Sequence, residues 1–528
     1  MTENRVSVLI VGGGSVGLAT ALFLADRGVQ TLVVEAQDGP SLHPRATGLG
    51  RRTMEMFRAL GLQEAINEVC VDMVAGLGKV YARSLAETDF AAMQPDQAMK
   101  RTWDAVETSP GIIRGTCPQH RLDSVVLPAA RERGAVVRYS ARVDSVSQDD
   151  DGVRAVLESG EVLHADYLIA ADGVRSQVRE SLEIGVTGPG PLGKPMMSML
   201  FRADLTSYLQ GRSFVTCNIE NPGVTGMLVT VDGAKEWILH TACGDADEFT
   251  DEHCRELILA AIGDDTVEVE MVSALPWRPR GLVADRFRVG RVFLVGDAVH
   301  GVPPLGAFGL NTGVADGHNL AWKLAAVIHG HAGDGLLDTY EAERRPVALM
   351  TTDQAMRRLA DAKLHWDSSP ETVAARIAGG VLNAPVVHLG YRYDSTAVID
   401  PHVELVSTED VSLLLDGSPG SRLPHLWIEH DGSRVSTLDL VGPGCTLLTA
   451  SEQWERTGRE VAALYPGMTV HRITVGDTAW TRSVGINADG AVLVRPDQFV
   501  AWRISEFPDN PGKELASVLD RVLSRGDL

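Results

Sequence analysis

VSVLIVGGGSVGLATALFLADRG, residues 6–28, decides the fold. It reads as a buried strand, a glycine turn, and a helix that ends at Gly28 in a left-handed cap. Gly12, Gly14 and Gly17 fit G-x-G-x-x-G. In that pattern the first glycine makes the tight turn, the second lets backbone approach a pyrophosphate, and the third lets helix and strand pack closely. A second strand, QTLVVE, stops at Glu35, 21 residues past Gly14, where a carboxylate can accept hydrogen bonds from a ribose 2′-hydroxyl. Ser15 and Val16 in the turn and Ala36 behind the acid join these as expected nucleotide contacts. Strand, turn, helix, cap, strand and acid in this order predict a Rossmann-like domain holding adenosine without a 2′-phosphate. Either NAD or FAD satisfies that.

Composition narrows the rest. A chain of 528 residues is too long for one ordinary core, so two to four domains are expected. Its 48 basic and 70 acidic side chains give a formal charge of −22, which opposes nucleic acid and anionic membranes as partners. No run of eighteen apolar residues is present to span a bilayer. The first apolar run, VSVLIV, breaks at once into glycines, unlike a secretory leader. The six cysteines form no CxxC pair and read as free thiols of a reducing cytoplasm. His329 and His331 are the one close histidine pair, with no nearby cysteine, so no metal site is expected.

A second loop decides between the cofactors. RVFLV, residues 291–295, is a short β-branched strand that delivers Gly296 and Asp297 at its C-terminal end, where ligands of open α/β sheets sit. The following PPLGAFGLN is stiffened by Pro303 and Pro304, is stripped of side chains at Gly306 and Gly309, and enters a helix near Asn311. Amide groups at a helix N-terminus attract partial negative charge, as a reduced flavin carries at N1 and the C2 carbonyl.

GRVFLVGDAVHGVPPLGAFGLNTGVADGHNLAWKL resembles the flavin-embracing segment of the single-component FAD-dependent aromatic hydroxylases. The resemblance implies that Asp297 meets the ribityl chain or pyrophosphate, and that Pro304, Gly306, Gly309, Leu310 and Asn311 lie along the flavin. Three more segments agree in order. YLIAADGVRSQVRE is similar to the family's Asp-Gly element, here Asp172 and Gly173 with Arg179. HPRATGLGRRTMEMFRALGL matches the loop whose arginine, here Arg45, lies by the flavin. CPQHRLDSVV resembles the segment whose glutamine, here Gln119, touches the ribityl chain. Val143 completes the implied FAD set.

Residues 182–285 change texture: GMLVTVDGAKEWILHTA and FVTCNIENPGVTGML carry hairpin signals at Asp232-Gly233 and Asn221-Pro222-Gly223. An antiparallel sheet is expected there, and the family places such a sheet over the substrate. Residues 286–395 return to the FAD-binding domain begun over 1–181 and add connecting helices. Over 400–528, STLDLVGPGCTLLTA reads as a long strand or strand pair, EQWERTGREVAALYP as a helix, GMTVHRITV as a strand and AVLVRPDQFVAWR as a hairpin at Pro496-Asp497. That order resembles the thioredoxin-like C-terminal domain of the phenol and polyketide hydroxylase branch. With no CxxC partner for Cys445, the domain is expected to be structural.

The resemblance implies an α/β monooxygenase that takes electrons from NADPH or NADH, adds O2 to reduced FAD as a C4a-hydroperoxide, and hydroxylates an electron-rich ring such as a phenol, hydroxypyridine or polyketide. Arg45 is the expected charge beside the flavin, and His240 and Arg202 are candidates for contact with a small aromatic substrate. Baeyer–Villiger insertion, epoxidation and a non-enzymatic ligand carrier stay open as alternatives, as do the choice of nicotinamide and the oligomeric state, a homodimer included.

Overall fold

Strand Arg5–Val11 lies inside a parallel sheet, between Thr31–Val34 and Val162–Ala170. The computed structural model describes residues 5–73, 76–94, 107–243, 249–361, 363–366, 369–473 and 478–526. Val136–Arg138 extends this sheet beyond Thr31–Val34, and Val292–Leu294 extends it beyond Val162–Ala170. Residues sheltered on both faces explain the unbroken apolar sequence. Val8, Leu9 and Ile10 are 0–1% exposed, each contributing about 1.5–3 kcal/mol of burial. Helices Ser15–Asp26 and Phe308–Ile328 pack against each other above the sheet. An antiparallel hairpin, Val143–Asp149 with Gly152–Leu157, joins the N-terminal half of Val162–Ala170.

The second layer is a six-stranded sheet in the order Glu270–Trp277, Met196–Arg202, Glu236–Ala242, Thr225–Thr230, Thr216–Glu220 and Lys79–Ala82. Its hairpins turn at Asn221–Gly223 and at Asp232–Gly233, as the turn residues predict. Asn221 and Asp232 each accept bonds from backbone amides two or three residues on, the Asx geometry that favours these residues in turns. Met197, Met199 and Phe201 pack into a core on one face of this sheet, so Ser198 and Leu200 point to the other.

The third layer is a four-stranded sheet, Thr469–Arg472, Thr446–Thr449, Ala491–Val494 and Val500–Ile504 in that order, flanked by helices Glu452–Ala462 and Pro511–Val522. One parallel pair beside an antiparallel hairpin matches the thioredoxin-like expectation. The hairpin turns at Pro496-Asp497, with Gln498 at φ +68°. The last two residues of GMTVHRITV lie outside the described residues. STLDLVGPGCTLLTA departs from its expectation, for beyond Ser436, the end of strand Ser433–Ser436, only Thr446–Thr449 is strand and Thr437–Leu440 is a 3-10 turn. Ser436 and Asp439 form a reciprocal capping box there, satisfying amide groups that a strand would need partners for.

Candidate active site

The three glycines of the first turn have distinct geometries. Gly12 is at φ +110°, and a Cβ there would lie 2.3 Å from the Ala171 carbonyl oxygen. A Cβ on Gly17 would lie 2.0 Å from the Gly12 oxygen, so helix and strand meet too closely for a side chain. At Gly14 a Cβ would meet no protein atom within 4 Å. The middle glycine faces open space at a helix N-terminus. Glu35 accepts from the Gly13 amide at 2.6 Å and the Gln37 amide at 2.8 Å, which fixes its carboxylate beside the turn. Ala36 and Val143 flank that end, where the Ala141 amide bonds the Glu35 oxygen at 2.8 Å. Ser15 turns away: its hydroxyl donates to buried Asp123 at 2.5 Å, and only its amide faces the turn. Burial, tempered by that bond, pushes the Asp123 carboxyl up to about 7.

Two further strand ends converge here. After Val162–Ala170, Asp172 accepts from the Val178 amide at 3.2 Å through Oδ2, while Oδ1 has no partner. Burial raises its pKa, with Ser176 opposing. Gly173 is at φ +83° with open space at its Cβ. Arg179 is a brace, donating to the Ala298 oxygen at 2.9 Å and the Val174 oxygen at 3.2 Å. After Val292–Leu294, Asp297 sits in a 3-10 turn, its carboxylate reachable by solvent but hemmed in by protein. Burial raises its pKa, offset by His300 and Arg45. Val16 links the two turns, packing where a Cβ on Gly296 or Gly313 would fall.

Beneath this loop lies a buried ionic cluster. Asp316 accepts from Arg344 Nε at 2.8 Å, lies 2.8 Å from His300 Nε2, and accepts from the Gly296 amide at 3.2 Å. Burial opposes its charge, but Arg344 and His300 outweigh it and hold its pKa below the ordinary carboxylate range. The helix begins at Phe308, three residues before the sequence expectation. Its N-cap Ala307 is left-handed and gives no side-chain cap, so the first-turn amides depend on other acceptors. Pro304 is exposed on the approach, and Gly309 and Leu310 are half-buried in that first turn. At Gly306 (φ +101°) a Cβ would strike the Phe308 ring at 2.3 Å.

The Asn311 side chain is engaged within the protein. Its oxygen accepts from the Gly50 amide and the Thr53 hydroxyl, both at 2.7 Å, and its nitrogen donates to the Gly48 and Ala307 oxygens at 3.1 and 2.6 Å. It staples the loop carrying Arg45 to the helix. Only its backbone remains for a ligand.

That loop is held from two more sides. The Gln119 amide donates to the Ala46 oxygen at 2.9 Å and the Cys117 amide to the Thr47 oxygen at 2.8 Å, setting Gln119, half-exposed at a helix start, beside Arg45. Arg45 is exposed and close enough to act on both Asp297 and His43. His43 was not singled out from the sequence. It is 7% exposed, with Nδ1 2.7 Å from Ser273 Oγ and Nε2 2.8 Å from Ser198 Oγ. Burial and then the Arg45 charge push its pKa down to about 4, so the ring is neutral, one nitrogen donating and the other accepting. The Arg45 loop is thus clamped to the free face of the six-stranded sheet.

His240 lies on that face, opposite Ser198 in register, edge-on to Trp277 at 5.6 Å. Its Nδ1 has no partner, and burial and then His43 push its pKa down to about 4. Leu200, Val229, Val231 and Ile238 make the apolar part of the wall. Arg202 does not join it. It shares the face by parity, but lies four residues along the strand, about 13 Å at ~3.3 Å per residue. There it pairs with Glu236 at 3.1 Å and Glu270 at 3.3 Å, half in solvent.

Open space at Gly14 and Gly173, an unpartnered Asp172 oxygen, a hemmed-in Asp297 and uncapped amides at Phe308 fit a dinucleotide laid across both strand ends. Among the described residues no cluster of three or more His, Cys, Asp or Glu could hold a metal ion, and no helix is long and apolar enough to cross a membrane.

Comparison with known proteins agrees. Residues 5–355 match the FAD binding domain family, and residues 416–526 match the aromatic-ring hydroxylase C-terminal family. The chain is 38% identical to tetracenomycin B2 monooxygenase-dioxygenase of Streptomyces olivaceus, over 99% of this chain and 100% of that one. It is 32% identical to 2,4-dichlorophenol 6-monooxygenase of Delftia acidovorans, over 99% of each. The solved structure of aklavinone-11 hydroxylase with FAD and aklavinone superposes with a TM-score of 0.87 at 34% identity, over 99% of this chain and 100% of that one. A glycine turn, a Gly-Asp loop and a thioredoxin-like third layer, matched end to end, make this chain a member of the FAD-dependent aromatic-ring hydroxylases.

Proposed function

We propose that this monooxygenase hydroxylates a phenol-bearing, polyketide-like aromatic lying between the Arg45 loop and the wall of His43, Ser198, Ser273, His240 and Trp277. The observation that carries this reading is the His43 clamp. It joins the loop beside the cofactor recess to a sheet face of buried apolar side chains among which His240 Nδ1 and Trp277 Nε1 have no partner. Such a lining is typical of sites for small aromatic ligands.

In this reading the Gly14 backbone and the start of helix Ser15–Asp26 bind the pyrophosphate, Glu35 the adenosine ribose, and Asp297 and Gln119 the ribityl chain. Amides at Phe308–Asn311 would hold the flavin and offer positive potential to its negative charge. FAD held there would supply the redox chemistry, electron transfer from NADPH or NADH to O2 and delivery of one oxygen atom to the ring. The chain's own task is to hold the ring in line and keep water away. Leu200, Val229 and Ile238 exclude water, and the unpartnered His240 Nδ1 is placed to hydrogen-bond a ring hydroxyl. We assign the chain to the cytoplasm, where reduced nicotinamide is supplied, and take its small-molecule partner to be the aromatic substrate.

The test is oxygen transfer. Purified protein with FAD is given NADPH or NADH, isotopically labelled O2 and a panel of simple phenols, hydroxypyridines and fused-ring phenolic polyketides. Labelled oxygen on the ring of one class is the expected result. A colourless protein that takes up no FAD, or nicotinamide oxidation with no label on any ring, overturns the reading. A labelled lactone or epoxide would assign the oxygen transfer to Baeyer–Villiger or epoxidising chemistry.

A further inference from the structure

Beside the cofactor recess, strands Val71–Asp72 and Gly115–Thr116 pair antiparallel, with Val71 opposite Thr116 and Asp72 opposite Gly115. The Met73 amide donates to the Arg114 oxygen at 3.1 Å. Hydrogen-bonded and non-hydrogen-bonded pairs alternate along such a ladder, so Met73/Arg114 and Val71/Thr116 are bonded pairs and Cys70 faces Cys117 in a non-bonded one. Non-bonded pairs bring Cα atoms to about 4.5 Å and lean the side chains together, within the ~4.4–6.8 Å that a disulfide spans. Gly115 allows the close approach, for a Cβ there would lie 1.7 Å from the Val71 oxygen. The interaction of the two thiols favours the Cys70 thiolate, as does the nearby Arg121, and disfavours that of Cys117. Cys70 is half-exposed and Cys117 wholly buried.

We propose that Cys70 and Cys117 are a peroxide-responsive thiol pair that closes into an intrachain disulfide and thereby shifts the Arg45 loop. The half-exposed Cys70 thiolate attacks one oxygen of hydrogen peroxide; an S–O bond forms, the O–O bond breaks, and the departing hydroxide takes up the proton the thiol released and leaves as one water, giving a sulfenic acid. The Cys117 sulfur then attacks Cys70; the S–S bond forms, the S–O bond breaks and a second water leaves with the Cys117 proton. The two thiols lose two electrons and the peroxide gains them. The link to the site is short: the Cys117 amide holds the Thr47 oxygen and the Gln119 amide holds the Ala46 oxygen, two residues and one residue from Arg45. Formation of the bond is independent of the FAD reading; its effect on the site rests on it.

The experiment treats FAD-loaded protein, freed of reductant, with a small excess of hydrogen peroxide. Thiols are counted after denaturation, and peptides are mapped by mass. Two of the six thiols should disappear into one linked pair of peptides holding Cys70 and Cys117. Substrate-stimulated flavin reduction should change at least threefold, and dithiothreitol should restore both. Cys70→Ser, at a half-exposed position, should show neither effect; Cys117→Ala repeats the check. Oxidation of Cys70 to a sulfinic acid with Cys117 still free, or no linked peptide, overturns the thiol pair. A linked peptide with an unchanged reduction rate overturns its action on the loop. The peptide map needs no flavin signal, so failure of the FAD reading is seen separately.

Discussion

Single residues divide the first turn into parts that serve folding and parts that serve the ligand. Gly17→Ala drives a Cβ to 2.0 Å from the Gly12 oxygen, overpacking that costs about 1–3 kcal/mol and lowers the melting temperature even without cofactor. Gly14→Val meets nothing in the protein; its apoprotein should melt like the parent's, yet lose FAD, because the side chain fills the space a pyrophosphate needs. Equal FAD retention by Gly14→Val, read by flavin absorbance after desalting, would place the pyrophosphate elsewhere. Arg45 belongs to the second kind. It acts on Asp297 and His43 at once, and a flavin cradled mostly by backbone can shift. The true substrate should therefore speed flavin reduction at least about tenfold, ~1.4 kcal/mol of differential stabilisation. Arg45→Ala should keep FAD and lose most of that gain in anaerobic stopped-flow traces. An unchanged gain would remove Arg45 from control.

Helices and loops reveal where sequence reading works and where it stops. The staple from Phe308–Ile328 to the Arg45 loop is one side chain, Asn311. Asn311→Ala leaves the part-buried Gly50 amide and the buried Thr53 hydroxyl without their acceptor, at about 1–3 kcal/mol for a buried donor. Thermal melts should fall by that order and FAD titration should weaken together with them; loss of neither would show that the loop holds its place without the staple. The glycine turn, the Gly-Asp loop and the hairpins were legible because each needs a special backbone at one place in sequence. Asn311 was legible as important but not in its task, since its partners are Gly48, Gly50 and Thr53, far back in the chain. His43 was hidden for the same reason: Ser198 and Ser273 lie 155 and 230 residues away, and no local period marks such a pairing. Arg202 was misread because alternation predicts the face of a strand and not the depth along it. The Ser436 capping box was missed because its apolar neighbours imitate a strand.

At the scale of the whole molecule, buried charge ties the third layer to the first. Glu343 accepts from Arg495 at 2.5 and 2.8 Å and from Lys323 at 2.7 Å, and Asp497 accepts from Arg495 at 2.6 Å. Removing one partner leaves buried charge uncompensated, so Glu343→Ala should cost about 3–5 kcal/mol and loosen both layers in one melting transition; Glu343→Gln should cost less. Two separate calorimetric transitions in the parent would contradict that tie. Acid acts elsewhere. His43 and His240, held near 4 when folded against an ordinary 6.5, take up protons on unfolding. Stability from them is full above about 6.5 and falls as pH drops toward 4; His43→Gln should flatten that part of the melting curve against pH, and an unaltered slope would exclude His43. The strand order sets a timetable for synthesis as well. Leu168–Ala170 waits for Val292–Leu294, roughly 120 residues and on the order of 6–25 s later at about 5–20 residues per second. Until then the nascent chain lacks the strand that delivers Gly296 and Asp297 and the helix that packs on Ser15–Asp26, and Leu168–Ala170 is a bare parallel edge open to other chains. A ribosome paused before residue 291 therefore holds a chain whose first turn has no covering helix and whose sheet edge is prone to pair with other chains.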